Sequence, residues 1–85
     1  MEMVITLKEE NGLHARPAGL FVKTISPFKS QVELEFEGKK INARSIMSIM
    51  GLGLKQGSSF KVIAQGEDCG ETIKAIGEFF GNTLN

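Results

Sequence analysis

Apolar and polar residues alternate in several stretches of the chain, which is the pattern of strands with one buried face. In the first stretch, Met3, Ile5 and Leu7 fall on the same side. The predicted strands are residues 2–8, 32–37, 40–43 and 59–65. Gly38 and Lys39 separate the second strand from the third, which predicts a hairpin.

Two further stretches repeat apolar residues at helical spacing, which places them on one face of a helix. These stripes are Ala18, Phe21, Val22 and Ile25 in the first stretch and Cys69, Ile73, Ile76 and Phe80 in the second. Pro27 cannot continue the first helix, and the second is predicted to run from about Asp68, as its N-cap, to Asn82. Between them, Ser45 and Gly51 mark the start and the end of a short helix.

The elements follow the order strand, helix, two strands, helix, strand, helix. This order predicts an α+β fold, a two-layer sandwich in which a mainly antiparallel sheet carries its helices on one face. The other face is expected to be solvated and acidic, because Glu33, Glu35 and Glu37 alternate with apolar residues. The 85 residues are predicted to form a single domain, residues 1–85, with a shallow site.

Charge and composition argue against several classes of protein. Ten basic and ten acidic residues give no net charge and no basic stripe, which disfavours binding to nucleic acid or to a membrane surface. No apolar stretch approaches the roughly 20 residues that cross a bilayer, and no signal peptide is evident. A single cysteine cannot form an internal disulfide. The interpretation is a cytoplasmic protein whose partners are proteins or small molecules.

His14 is the clearest candidate for chemistry, because it lies between Gly12 and Arg16 just before a predicted helix. Gly12 gives the loop conformational freedom, and the first turn of a helix presents unpaired N–H groups. Neutral imidazole is a nucleophile near neutral pH, and those amides and the Arg16 guanidinium would stabilise a phosphoryl group on it. Pro17 at the first helical position would make Arg16 the N-cap, whereas Pro17 at the second position would place the cap near Ala15.

Other interpretations of His14 are weaker. A lone histidine is more often an ordinary surface or capping residue, but the glycine before it and the arginine and proline after it favour a site. A metal centre would have too few ligands, since the chain holds one histidine and one cysteine. A hydrolase triad lacks a motif that places its serine on a strained turn. We therefore expect no metal and no cofactor.

Ser45 begins the second candidate site, where its hydroxyl is expected to cap the short helix. Directly behind it, large apolar side chains occupy four of five positions, 46–50. A helix of about one and a half turns cannot bury all of them, and exposed methionines commonly form adaptable protein-binding surfaces. The predicted contact surface consists of His14, Arg16, Leu20, Ile46, Met47 and Met50.

The motifs GLHARPA at residues 12–18, SIM at 45–47 and LGL at 52–54, with Gly57, closely resemble HPr. HPr is the histidine-containing phosphocarrier family of the bacterial sugar phosphotransferase system. The resemblance covers essentially the whole chain and implies an open-faced sandwich of a four-stranded antiparallel sheet and three helices. It also implies a carrier that is a cosubstrate and not an enzyme, in which His14 accepts a phosphoryl group on Nδ1 from phosphorylated enzyme I. The group then passes to the A domain of a sugar-specific enzyme II.

The same resemblance implies roles for other positions. Arg16 matches the arginine that assists transfer, and Ser45 matches the serine that HPr kinase/phosphorylase modifies in many Gram-positive bacteria. There the seryl-phosphorylated form serves as a corepressor with catabolite control protein A. The positions expected to bind partners are Ala15, Leu20, Lys23, Ile46, Met47 and Met50.

Gly19, Ser48 and Gly51 depart from the family pattern on the contact face, which affects partner preference. Ser48 is either a solvated surface serine or a second phosphorylation target. Two alternatives to the carrier stay open, namely a regulatory binding module that works when Ser45 is phosphorylated and a paralogue that serves nitrogen or carbon regulation. A carrier that must expose His14 to two successive partners is expected to be a monomer.

Overall fold

A computed structural model describes residues 1–81, which contain four strands and three helices. In chain order they are β1 (Glu2–Thr6), α1 (Ala15–Ile25), β2 (Gln31–Phe36), β3 (Lys39–Asn42), α2 (Ile46–Gly51), β4 (Ser59–Gln65) and α3 (Cys69–Phe79). The predicted order of elements is confirmed. The predicted end of the last helix at Asn82 lies outside the described residues, and within them the C-cap of α3 is Phe80. No helix in this range has the length and apolar character needed to span a bilayer.

The strands form one antiparallel sheet in the spatial order β1-β4-β2-β3. β4 is central, because Val62 on it pairs with Met3 of β1 on one side and with Leu34 of β2 on the other. β2 and β3 form the predicted hairpin, but Glu37 and Gly38 make its turn, one residue earlier than predicted. Both have positive φ, 50° and 80°, as a two-residue turn of type I′ requires.

The core lies between the inner face of the sheet and the helices. Its fully buried large side chains include Ile5, Phe21, Ile25, Leu34, Ile49, Phe60, Val62 and Ile76. Phe21 lies against Phe79 and Phe80, with ring centroids 5.8 and 5.4 Å apart, which joins α1 to the end of α3. Of the predicted helical stripes, Val22, Cys69 and Phe80 are half-buried at the margin of this core.

The opposite face of the sheet is largely exposed to solvent, as predicted, and lysines lie there beside the predicted glutamates. Glu35 lies opposite Lys40 of β3 and Lys61 of β4. The Lys61 ammonium also lies 3.6 Å from the Glu2 carboxylate. Lysines on the neighbouring strands therefore lie beside glutamates of β2. The sequence of one strand does not show such cross-strand pairs.

Two helix ends lie at the predicted residues, Gly51 and Asp68, but the details of their capping differ. Gly51 is the last residue of α2, but the left-handed backbone that follows the helix is at Gly53, with φ 69°. Asp68 is the N-cap of α3 by position, yet its side chain makes no capping hydrogen bond within the described range. Its carboxylate instead accepts the backbone N–H groups of Lys29 at 2.8 Å and of Ser30 at 2.9 Å.

Candidate functional site

His14 is itself the N-cap of α1. Its backbone is extended, with φ −93° and ψ −169°, and its carbonyl accepts the N–H of Ala18 at 2.9 Å. Both predicted caps, Arg16 and Ala15, are wrong, because the helix begins early enough to place Pro17 at its third position. The imidazole is exposed, and its ring nitrogens make no capping hydrogen bond to residues 1–81.

The start of α1 offers unpaired backbone N–H groups beside this imidazole. The first N–H groups of a helix have no acceptor within it, and here they belong to His14, Ala15 and Arg16. Pro17, the next residue, has no N–H, so the proline leaves no further donor unpaired. The first turn carries no acidic residue that would offset the positive end of the helix dipole. An anion on the imidazole would therefore lie at an uncompensated positive helix end.

The loop that leads into α1 is held against the loop that follows α2. The N–H of Leu13 donates to the carbonyl of Leu54 at 3.2 Å. Gly12 has φ 75° and lies so close to the Leu54 carbonyl that a Cβ at this position would overlap it. Gly12 is therefore needed for close approach as well as for its backbone conformation, and it determines where the chain enters α1 at His14.

A groove of about 710 Å³ opens beside His14. Its lining includes Arg16, Glu9, Glu10 and Phe79. Sequence reasoning missed the last three residues. The adjacent glutamates ahead of His14 were a visible signal, whereas Phe79 reaches the groove because α3 packs against α1. Within residues 1–81, no three acidic, histidine or cysteine side chains are grouped as metal ligands would be.

Ser45 is the N-cap of α2, as predicted. Its backbone is extended, and its Oγ accepts the N–H of Ser48 at 3.2 Å. Its carbonyl accepts the N–H of Ile49 at 3.0 Å. Ser45 and Ser48 are both half-buried, so each hydroxyl is partly accessible to solvent.

The apolar side chains of the predicted contact surface are exposed. Met47 is 80% exposed, compared with 42% for Met50 and 39% for Ile46. Leu20 on α1 is 49% exposed. Ile49 is fully buried, so α2 places one large side chain in the core and leaves three others facing solvent. The prediction that this helix cannot bury all of them is confirmed.

The two helices that carry this surface meet at Gly19. A Cβ at Gly19 would lie 4.0 Å from Cδ1 of Ile46, so α2 is packed against the helix that begins at His14. Three further residues of α1 were predicted to face partners, and all are exposed: Ala15, Arg16 and Lys23. The structure thus places both candidate modification sites on adjoining helices.

Arg44, directly before Ser45, is a residue that sequence reasoning missed. Its guanidinium donates hydrogen bonds to the carbonyls of Ile25 at 3.2 Å, Phe28 at 2.9 Å and Ser30 at 2.9 Å. Since Ile25 ends α1, these bonds tie the C-terminal end of α1 to the start of α2. An arginine beside a helix cap looks like a solvated charge in the sequence, and its acceptors appear only in the fold.

The chain matches the family model described as PTS HPr component phosphorylation site over residues 1–82. Among solved structures, it is similar to HPr-C-His from Thermoanaerobacter tengcongensis, with 49% identity, a TM-score of 0.89 and 99% of each chain covered. It is also similar to the phosphocarrier protein HPr of Bacillus anthracis, with 35% identity, a TM-score of 0.88, and 94% of this chain and 95% of that chain covered. A third relative is Crh, the catabolite repression protein of Bacillus subtilis, with 41% identity and a TM-score of 0.76 over 95% of this chain and 94% of that chain. The Crh structure is a dimer with a swapped domain.

Proposed function

The chain belongs to the PTS HPr family, and we propose that it is a phosphocarrier that holds a phosphoryl group on His14 between two partner proteins. The donor is phosphorylated enzyme I of the phosphotransferase system, and the acceptor is the A domain of a sugar-specific enzyme II. The observation that carries the proposal is the position of His14, an exposed N-cap at the positive end of α1. Membership of this family identifies the anion that such a position would hold as a phosphoryl group.

In the proposed transfer, the Nδ1 lone pair of neutral His14 attacks the phosphorus carried by enzyme I. A P–N bond forms on His14 as the bond to the donor breaks, and the same exchange with enzyme II passes the group on. The N–H groups of Ala15 and Arg16 and the Arg16 guanidinium are available to the phosphoryl oxygens. The helix dipole favours the bound anion by about 0.3–1 kcal/mol, a contribution too small to prevent transfer of the group to the next partner. Such reversible holding suits a carrier better than an enzyme.

Docking to the partners is assigned to the exposed side chains around His14. The apolar members exclude water from the joint site, while Arg16 and Lys23 complement acidic partner surfaces. The residues proposed to bind partners are Ala15, Leu20, Lys23, Ile46, Met47 and Met50. A contact surface of about six residues is small, and a small interface favours a transient complex, as a relay between two proteins requires.

Regulation is assigned to Ser45, as the substrate of an HPr kinase/phosphorylase whose product acts with catabolite control protein A. Ser45 Oγ stands at a helix start and already accepts the N–H of Ser48. A phosphate there adds nearly two negative charges where backbone N–H groups and the dipole tolerate them, so the fold is expected to persist. The added charge would instead repel acidic partner surfaces that approach Arg16.

A second candidate function is a regulatory module that works through phosphorylated Ser45 and not through His14. The similarity to Crh and the observed Ser45 cap favour this candidate. The presence of His14, with its free ring at the helix start, favours the carrier. Transfer assays with several enzyme II domains separate the sugar carrier from a paralogue of nitrogen or carbon regulation.

The experiment that tests the carrier is incubation with phosphoenolpyruvate and enzyme I, followed by intact-mass analysis at neutral and acidic pH. We expect one phosphoryl group that is stable at neutral pH and lost in acid, because phosphohistidine is acid-labile and phosphoserine is not. The His14→Ala variant is expected to stay unmodified. An acid-stable product, or equal labelling of His14→Ala, would exclude His14 as the carrier residue.

We expect the carrier to act as a monomer, because His14 has to reach two partners in succession. The swapped dimer of Crh makes the oligomeric state worth measuring. Size-exclusion chromatography with light scattering gives the mass directly, before and after phosphorylation. A stable dimer whose His14 is not labelled by enzyme I would contradict the monomeric carrier.

A further inference from the structure

Met47 is the most exposed large apolar side chain among the described residues, at 80%. It stands in the first turn of α2, two residues after Ser45 and next to Ile46. We propose that Met47 is an oxidation site, at which a hydroperoxide converts the thioether to the sulfoxide and thereby weakens docking of enzyme I. This inference rests on the proposed function, because it concerns the surface assigned to partner binding.

The methionines of the chain differ widely in exposure, which provides an internal comparison. Met50 is 42% exposed, and Met3 is 8% exposed within the core. Met1 is 62% exposed, but its Sδ would lie 4.0 Å from a Cβ at Gly70, at the start of α3, away from the contact surface on α1 and α2. Access of an oxidant to sulfur follows exposure. Met47 is therefore expected to react fastest and Met3 slowest.

The reaction is a two-electron oxygen transfer. A lone pair on the Met47 sulfur attacks one oxygen of hydrogen peroxide, the O–O bond breaks, and an S–O bond forms as water leaves. The sulfur loses two electrons and the peroxide gains them, so the balance needs no further reactant. The product carries no net charge, but it has a strongly polar oxygen where the thioether was apolar.

The polar oxygen changes docking more than it changes the fold. Met47 lies outside the core, so its oxidation removes no buried contact. On docking, however, the sulfoxide oxygen must lose its water against apolar neighbours such as Ile46 and Met50, which is unfavourable without a donor. His14 is not oxidised in this step. We expect the KM of enzyme I for the carrier to rise about tenfold while kcat stays constant, since the lost interaction is one of binding.

The experiment uses a Cys69→Ser background, because the half-buried thiol of Cys69 is a second target for peroxide. The protein is treated with hydrogen peroxide, the oxidised methionines are located by peptide mass spectrometry, and KM and kcat with enzyme I are measured. Met47→Leu and Met50→Leu provide matched apolar residues that cannot form a sulfoxide. Each variant is compared with its own untreated sample, so that any effect of the substitution itself cancels.

We expect the rise in KM to track oxidation of Met47, to persist in Met50→Leu and to be absent in Met47→Leu. Methionine sulfoxide reductase is expected to restore the original KM. Two results would overturn the proposal: oxidation of Met47 no faster than that of Met3, or full oxidation of Met47 with an unchanged KM. Failure of the proposed function gives a different result, because untreated protein would then accept no phosphoryl group from enzyme I.

Discussion

Asp68 accepts two hydrogen bonds from Ser30, one from its backbone N–H at 2.9 Å and one from its hydroxyl. These bonds, with a third from the N–H of Lys29 at 2.8 Å, lower the pKa of Asp68 to about 2. The Ser30 hydroxyl has the largest effect, because it donates directly to the ionised carboxylate. The cluster joins the residue before β2 to the residue before α3.

The lowered pKa of Asp68 predicts a loss of stability in acid. Because the folded pKa lies below the ordinary value of 3.8, folding favours the ionised form. The contribution is fully present above about pH 4 and is lost as the pH falls toward about 2. Urea unfolding across this range measures it, and Asp68→Asn is expected to remove this part of the pH dependence. Glu67→Gln, which removes the adjacent exposed carboxylate, is the control, and equal slopes in all three proteins would contradict the assignment.

Truncation of the Arg44 side chain is expected to lower stability, because its guanidinium donates hydrogen bonds to three backbone carbonyls. Arg44→Ala leaves the carbonyls of Ile25, Phe28 and Ser30 without this donor, and we expect a loss of about 1–3 kcal/mol in the free energy of unfolding. Arg44→Lys should recover part of this loss, since an ammonium cannot reproduce the geometry of the guanidinium. Lys40→Ala, on the exposed β3, serves as the control in urea unfolding. Arg44→Ala with wild-type stability would show that water replaces the guanidinium without cost.

Alanine is expected to have opposite effects on stability at two glycines, one within α1 and one just after α2. Gly19 is helical, and an added Cβ would lie in ordinary contact with Ile46, so Gly19→Ala is expected to stabilise the fold by about 0.5–1 kcal/mol. Gly53 has φ 69°, and Gly53→Ala is expected to cost about 1–2 kcal/mol despite open space around it. Thermal unfolding compares them directly. A lower Tm for Gly19→Ala would mean that α1 and α2 are packed more closely than the structure indicates.

The close approach of Gly12 to the Leu54 carbonyl predicts a functional effect. Gly12→Ala should force the loop away and displace His14, slowing phosphoryl acceptance from enzyme I by about tenfold or more. Gly38→Ala is the matched control, because Gly38 also has positive φ, 80°, but has no neighbour within 4 Å in the described part of the chain. Transfer rates are measured where circular dichroism shows both variants folded. Equal slowing of both would indicate a general loss of stability and not displacement of His14.

Two substitutions of Ser45 are expected to affect stability and phosphoryl transfer separately. Ser45→Ala removes the acceptor of the Ser48 N–H and is expected to cost about 1 kcal/mol, with little change in phosphoryl transfer. Ser45→Asp retains a capping oxygen but adds a negative charge beside the contact surface, so transfer from enzyme I should fall about tenfold or more. Urea unfolding and transfer kinetics are measured on the same preparations. A Ser45→Asp variant that accepts phosphate as fast as wild type would refute the electrostatic account.

Periodicity alone was enough to locate the four strands and the two longer helices, because apolar alternation and helical stripes are local properties of the chain, whereas the short helix was located from Ser45 and Gly51 at its ends. The core positions Ile5, Phe21 and Ile76 were recognisable for the same reason. The capping role of Ser45 was predictable too, since a serine before an apolar run provides its own acceptor for the first turn. Its proposed phosphorylation stays a prediction.

The start of α1 was placed wrongly because Pro17 does not mark a unique position. Any of the first helical residues tolerates proline, since none of their N–H groups is used within the helix. The observed start at Ala15 follows from how the preceding loop is held by Leu54, a contact between distant parts of the chain. The roles of Asp68 and Arg44 were hidden in the same way, because their hydrogen-bond partners come from another segment.

The antiparallel pairing of β1 with β4 sets an order of events during synthesis. The ribosome synthesises β1 before β4, but β1 pairs in the sheet with β4, residues 59–65, which is synthesised much later. Leu54, which holds the loop before His14, also emerges late. Nascent chains are therefore expected to present no assembled imidazole site until translation has passed residue 65, so that shorter chains do not compete for the phosphate donor.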